Sequence, residues 1–116
     1  MSDETEVTLG PVNLSEGEMK GFAVGKRNVL IARHGGKIRA MDDWCNHAGC
    51  LLSGGRVEGA LVVCPCHEVG FELATGKNAT SPGVCDDQRI FRAEESPDGT
   101  VIVYGFPDSP LPLPEP

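Results

Sequence analysis

Two cysteine-histidine clusters constrain this chain more than any other feature: Cys45-Asn46-His47 and, sixteen residues later, Cys64-Pro65-Cys66-His67. They supply two thiols and two imidazoles in matched order, so a fold that brings both loops to one point assembles a four-ligand metal site. Two cysteines and two histidines also suit zinc. Structural zinc spacings, however, usually pair like ligands within a knuckle, whereas each loop here mixes them.

The surrounding sequence reads as short strands separated by glycine or polar turns, an all-β domain. Strands are expected over residues 6–9, 21–24, 29–33 and 38–41, the last two joined by a hairpin turn at His34-Gly35-Gly36-Lys37. This meander leads into the first ligand loop. Residues 60–63 run into the second loop and residues 70–73 leave it, so the two loops are expected to hang from adjacent strands. Residues 89–94 and 100–104 close the chain as a hairpin around Pro97-Asp98-Gly99, an Asp-Gly turn signal.

Beyond the ligand candidates, Gly49, the stretch Gly54-Gly55-Arg56-Val57-Glu58-Gly59, Pro65, and Phe71-Glu72-Leu73-Ala74-Thr75-Gly76-Lys77 complete a pattern that resembles the Rieske [2Fe-2S] proteins. The resemblance is to their small soluble ferredoxins in particular and covers roughly residues 15–104. It implies a Rieske fold, in which antiparallel β-sandwich-like sheets carry a small cluster-binding subdomain. It also implies one [2Fe-2S] cluster, with Cys45 and Cys64 on one iron and His47 and His67 on the other. Neutral imidazoles in place of two thiolates remove two negative charges from the oxidised cluster, which makes an electron easier to add.

In Rieske proteins of respiratory and photosynthetic cytochrome complexes, cysteines at the positions of Cys50 and Cys66 form a disulfide. The resemblance therefore implies a Cys50–Cys66 bridge, with two reduced buried thiols as the alternative usual in cytosolic proteins. Cys85 has no evident partner and reads as a small buried or semi-exposed thiol. The same cytochrome-complex pattern places a serine and a tyrosine, both hydroxyl donors to the cluster, where this chain has Val69 and Phe71. Neither can donate, so the expected potential lies toward the low end of the Rieske range of about −150 to +300 mV.

The 116 residues suit one domain over 1–106, with a cluster-binding subdomain near 43–84 and a tail over 107–116 that holds five of the nine prolines. Such a tail cannot continue a ladder, because proline lacks the amide donor. The net charge of −7 argues against a nucleic-acid partner and fits steering toward a basic protein surface, or solubility alone. Apolar runs never approach the length that spans a bilayer, and the acidic start Met1-Ser2-Asp3-Glu4-Thr5-Glu6 is unlike an export signal, so the expected location is the cytoplasm.

His34 reads as a solvated turn residue and Trp44 as packing beneath the first loop. The neighbouring Asp42 and Asp43 form no acid-base pair across a face, and no nucleophilic triad can be assembled. The resemblance then implies an electron carrier rather than an enzyme. Its expected partners are a flavin-containing reductase and a terminal oxygenase, met by transient docking framed by Leu51, Leu52 and the Pro82-Gly83 loop. The alternative is a fixed small subunit of a larger oxidoreductase, such as assimilatory nitrite reductase.

Overall fold

The computed structural model describes residues 5–24, 27–45, 50–66, 68–81, 83 and 85–106. Nine strands are defined among them: β1 (Thr5–Pro11), β2 (Met19–Val24), β3 (Arg27–His34), β4 (Lys37–Asp42), β5 (Arg56–Glu58), β6 (Leu61–Val63), β7 (Gly70–Glu72), β8 (Ile90–Glu95) and β9 (Thr100–Phe106). A six-stranded antiparallel sheet has the order β1-β9-β8-β4-β3-β2, and a three-stranded sheet the order β5-β6-β7. This is the all-β architecture the sequence predicts. The small sheet spans residues 56–72.

Strand β3 explains how the two sheets come together. Its run Val29-Leu30-Ile31-Ala32 is wholly buried because successive side chains enter opposite cores. Val29 and Ile31 pack with Ala40, Phe91, Val101 and Val103, where the large sheet curls on itself. Leu30 and Ala32 face the other way and join Met41, Leu52, Val62, Val69, Phe71 and Leu73 of the region that holds the loops. A continuous apolar run is what a strand covered on both faces requires.

Turn chemistry fixes the registers. Gly35 and Gly36 take φ of 66° and 75° between the paired His34 and Lys37, the left-handed pair that a two-residue type I′ hairpin demands. At the second hairpin Gly99 has φ 91°, and the Asp98 carboxylate accepts from the Thr100 amide at 3.0 Å. Strand β5 was not anticipated. Three residues of alternating charge carry little hydrophobic signal, and the strand exists because Arg56, Val57 and Glu58 pair with Val63, Val62 and Leu61. Ala60, expected at a strand start, belongs to the turn before β6.

The adjacency of the loop-bearing strands does need correction. Strand β4, which feeds the first loop, lies beside β3 and β8 in the large sheet, while β6, which feeds the second, lies between β5 and β7. The loops approach each other across the interface between sheets. Alternation within each strand could not reveal this, because pairing partners are set by the tertiary fold.

Two surface carboxylates brace the large sheet and predict its response to acid. Glu16 accepts from the Gly35 and Gly36 amides at 2.7 and 2.9 Å, and these bonds hold its carboxyl below the usual range. Glu95 is held low by the Arg33 guanidinium, which donates to it at 2.6 and 3.1 Å. A carboxyl depressed on folding adds stability above its unfolded value, and that contribution is lost as pH falls through the lower folded value. Thermal midpoints should therefore stay flat from neutrality to about pH 5 and fall below about pH 4. Glu16→Gln should make the acid limb shallower, as thermal unfolding across pH will register.

Candidate metal centre

The first ligand loop leaves β4 through two buried aspartates, Asp42 and Asp43. Asp42 Oδ1 accepts from the Trp44 amide at 3.0 Å, a local turn that bends the chain off the strand. The Gln88 amide nitrogen donates to the carbonyls of Asp42 (2.7 Å) and Trp44 (3.0 Å), pinning the same bend from the segment before β8. Asp43 closes the loop from below. Its carboxylate accepts from the Ser53 amide (2.7 Å) and hydroxyl (2.6 Å), and its carbonyl accepts from Leu52. Above that, the Cys45 amide donates to the Cys50 carbonyl at 2.7 Å, forming the neck of the loop.

The second loop has a similar neck. The Cys64 amide donates to the Val69 carbonyl at 2.9 Å, and the Glu68 amide donates back to the Cys64 carbonyl at 3.0 Å. Glu68 takes φ 59°, a left-handed conformation that closes the tight reversal. Its side chain is held by Arg56 on β5 through two bonds of 3.0 and 3.1 Å, and this guanidinium keeps the Glu68 carboxyl below its ordinary value. Arg56 also meets Glu58. Cysteine, proline and histidine positions alone gave no hint of this brace.

A third segment, residues 78–88, is organised by the buried Asn78. Its amide group donates to the carbonyls of Ser81 (3.0 Å) and Cys85 (3.1 Å) and meets the Cys85 sulfur at 3.4 Å, while its oxygen accepts from the Ser81 amide. Thr80 Oγ1 accepts from the Gly70 amide, fastening this segment to β7. Cys85 is partly buried, as expected, and desolvation pushes its thiol up, with Asp86 adding to the effect.

Cys45 and Cys64 have no exposed surface and share one apolar cluster with Leu52, Val69 and Phe71. Cys50 and Cys66 are joined in the disulfide implied by the resemblance, with Cα atoms 6.4 Å apart. The bridge thus ties the two loops and leaves Cys45 and Cys64 outside the disulfide. That division of the cysteines fits a group that needs two thiolates. His47 and His67 lie outside the described residues, as does Pro82. Val69 and Phe71 are buried beside the thiols and carry no donor. Of the residues expected to frame a docking face, Leu51 is 38% exposed, but Leu52 is not. Leu52 begins a single 3-10 turn and points into the core, so it is a packing residue.

Sequence reasoning also passed over Asn78, Gln88, Ser53 and the backbone-tying role of Asp42 and Asp43. The aspartates had a signal: two carboxylates directly after an apolar strand can cap the amides of the turn that follows. Asn78 and Gln88 had none, since their partners are carbonyls from distant positions.

Comparison with known proteins places these observations. The model of the Rieske [2Fe-2S] domain matches residues 7–93. The ferredoxin component of the biphenyl 2,3-dioxygenase of Rhodococcus jostii (strain RHA1) is 33% identical over 90 residues, 78% of this chain and 83% of that protein. The ferredoxin component of the naphthalene 1,2-dioxygenase/salicylate 5-hydroxylase systems of a Ralstonia species is 31% identical over 70 residues, 60% of this chain and 67% of that protein. Among solved structures, a chain of the complex of reduced oxygenase and oxidized ferredoxin in carbazole 1,9a-dioxygenase superposes with TM-score 0.74 at 27% identity, covering 84% of this chain and 99% of that one.

Proposed function

Since this chain belongs to the Rieske [2Fe-2S] domain family, we propose that it is a ferredoxin carrying single electrons to a terminal oxygenase, with a flavin-containing reductase as the donor. One observation carries the reading: two fully buried cysteines, Cys45 and Cys64, stand at the necks of loops that a disulfide between two other cysteines joins, in a chain related to ferredoxin components of dioxygenase systems. Cys45, His47, Cys64 and His67 would hold the cluster. When bound, a [2Fe-2S] cluster with two imidazole ligands accepts and returns one electron.

The remaining work falls to the chain. The Asp43–Ser53 and Cys45–Cys50 bonds set the first loop, the Cys64–Val69 and Arg56–Glu68 bonds set the second, and the disulfide couples them. Preset loops lower the reorganisation needed when charge changes. Val69 and Phe71 exclude water without offering a hydrogen bond, which favours a low potential. Exposed Leu51 supplies an apolar contact, and Glu58 and Glu68, two carboxylates on the one Arg56 guanidinium, a net negative charge suited to brief docking on a basic partner. Among the described residues no helix is long and apolar enough to cross a membrane.

An anaerobic redox titration followed by electron paramagnetic resonance tests this. A rhombic reduced signal of low average g, with a midpoint toward the bottom of the Rieske range, is the expected result. A silent protein would indicate zinc, and a strongly positive midpoint a quinol-linked role. Co-purification in high salt with a larger oxidoreductase at fixed stoichiometry would replace the shuttle with a fixed subunit.

A further inference from the structure

A cleft among the described residues lies between the large sheet and the turn that follows β7. It measures about 620 Å³, within the range of small-molecule sites. Lys37 and Arg39 of β4 and Arg92 of β8 line it, over a floor and walls that include Leu73, Ala74 and Ile90. Lys37 sits at the hairpin end of β4, whereas the first ligand loop leaves the opposite end. None of its lining residues belongs to either ligand loop.

Its charge runs against the rest of the molecule. A chain of net charge −7 gathers three cations here. The acidic lining residue Glu95 is already neutralised by Arg33, at 2.6 Å. Arg92 is engaged with Glu94 and lies over the Tyr104 ring, so it contributes field more than a fork. Arg39 differs. Its Nε is buried and has no hydrogen-bond partner. A buried donor left unpaired costs on the order of 1–3 kcal/mol, and guanidinium donors are built to meet a carboxylate two at a time. Beside it stands Ile90, a large apolar side chain 43% exposed on the same cleft.

From this juxtaposition we propose that the cleft binds an organic carboxylate with an apolar body. The carboxylate meets Arg39 within the field of Lys37, and the apolar part lies against Ala74 and Ile90. The same chemistry is available from a free acid or from the carboxylate end of a peptide. Inorganic phosphate shares the charge but lacks the body.

Isothermal titration calorimetry on the cluster-loaded protein, with benzoate, hexanoate, acetate and inorganic phosphate as probes, decides this. Benzoate or hexanoate should bind at least tenfold more tightly than acetate or phosphate. Arg39→Leu should weaken binding tenfold or more, and Lys37→Gln, on an exposed hairpin edge where folding is not at stake, severalfold. Ile90→Glu, which places a carboxylate in the cleft, should abolish it, and the reduction midpoint should be the same in all variants. An acidic peptide that outcompetes benzoate at the same residues would assign the carboxylate to a protein partner. Absence of heat with every probe, equal binding of acetate and benzoate, or unchanged affinity in Lys37→Gln and Arg39→Leu would overturn the proposal.

Discussion

Gly55→Ala should destabilise the protein by about 4 kcal/mol or more and prevent it from retaining a cluster. A β-carbon at this position would lie 1.9 Å from the Val63 carbonyl oxygen and 3.1 Å from Pro65 Cδ. The first of these is backbone and cannot rotate away. Gly55 has φ −94° and ψ −136°, and the close approach to Val63 is what calls for a glycine here. The space matters because Arg56 pairs with Val63 immediately before Cys64, and displacing this end of the ladder displaces the neck of the second loop. Gly54→Ala is the control: its nearest neighbour would be Pro65 Cγ at 3.8 Å, an ordinary contact, and its effect should be small. Urea unfolding together with visible absorbance of the cluster would test both. A Gly55→Ala protein as stable and as coloured as the parent would show that the β5–β6 ladder does not position the loop.

The contrast between these glycines also marks what could be read without coordinates. The resemblance places Gly54 and Gly55 together in one matching stretch, and no local rule separates them, because the atom that excludes a side chain at Gly55 belongs to a strand eight residues on. The elements that were legible share one property: their signal is local. The apolar run of β3, the glycine pair of its hairpin and the Asp-Gly turn before β9 each encode their own conformation. The disulfide was legible for another reason, namely that the resemblance assigns Cys50 and Cys66 to a bridge, and the structure joins them. Leu52 failed because its neighbour Leu51 is chemically identical, and a 3-10 turn sends one outward and the other into the core. Strand β5, the pairing of β4 with β8, and the Asn78 and Gln88 anchors depend on contacts far apart in sequence, where periodicity carries no information.

Asp43→Ala should cost about 3 kcal/mol and speed loss of the cluster under anaerobic incubation, with little change in midpoint while the cluster remains. The carboxylate is the shared acceptor for the Ser53 amide and hydroxyl, and its removal leaves both without that partner under the first loop. Asp43→Asn keeps one acceptor oxygen and should retain about half of the stabilisation. Ser53→Ala should cost less than either, since the amide bond to Asp43 Oδ1 survives. The decisive comparison uses Gly21 on β2, which packs against the same pair: a β-carbon there would lie 2.5 Å from Ser53 Oγ and 2.6 Å from Asp43 Oδ2. In the parent protein Gly21→Ala must push these atoms apart and weaken both bonds. With Asp43 already alanine, part of the obstruction has gone and the two bonds it would disturb no longer exist. The two substitutions should therefore be less than additive, by about 1 kcal/mol or more in denaturant unfolding. Additivity within about 0.5 kcal/mol would mean that β2 and the first ligand loop are independent. The loop would then be held by its neck bonds and disulfide alone.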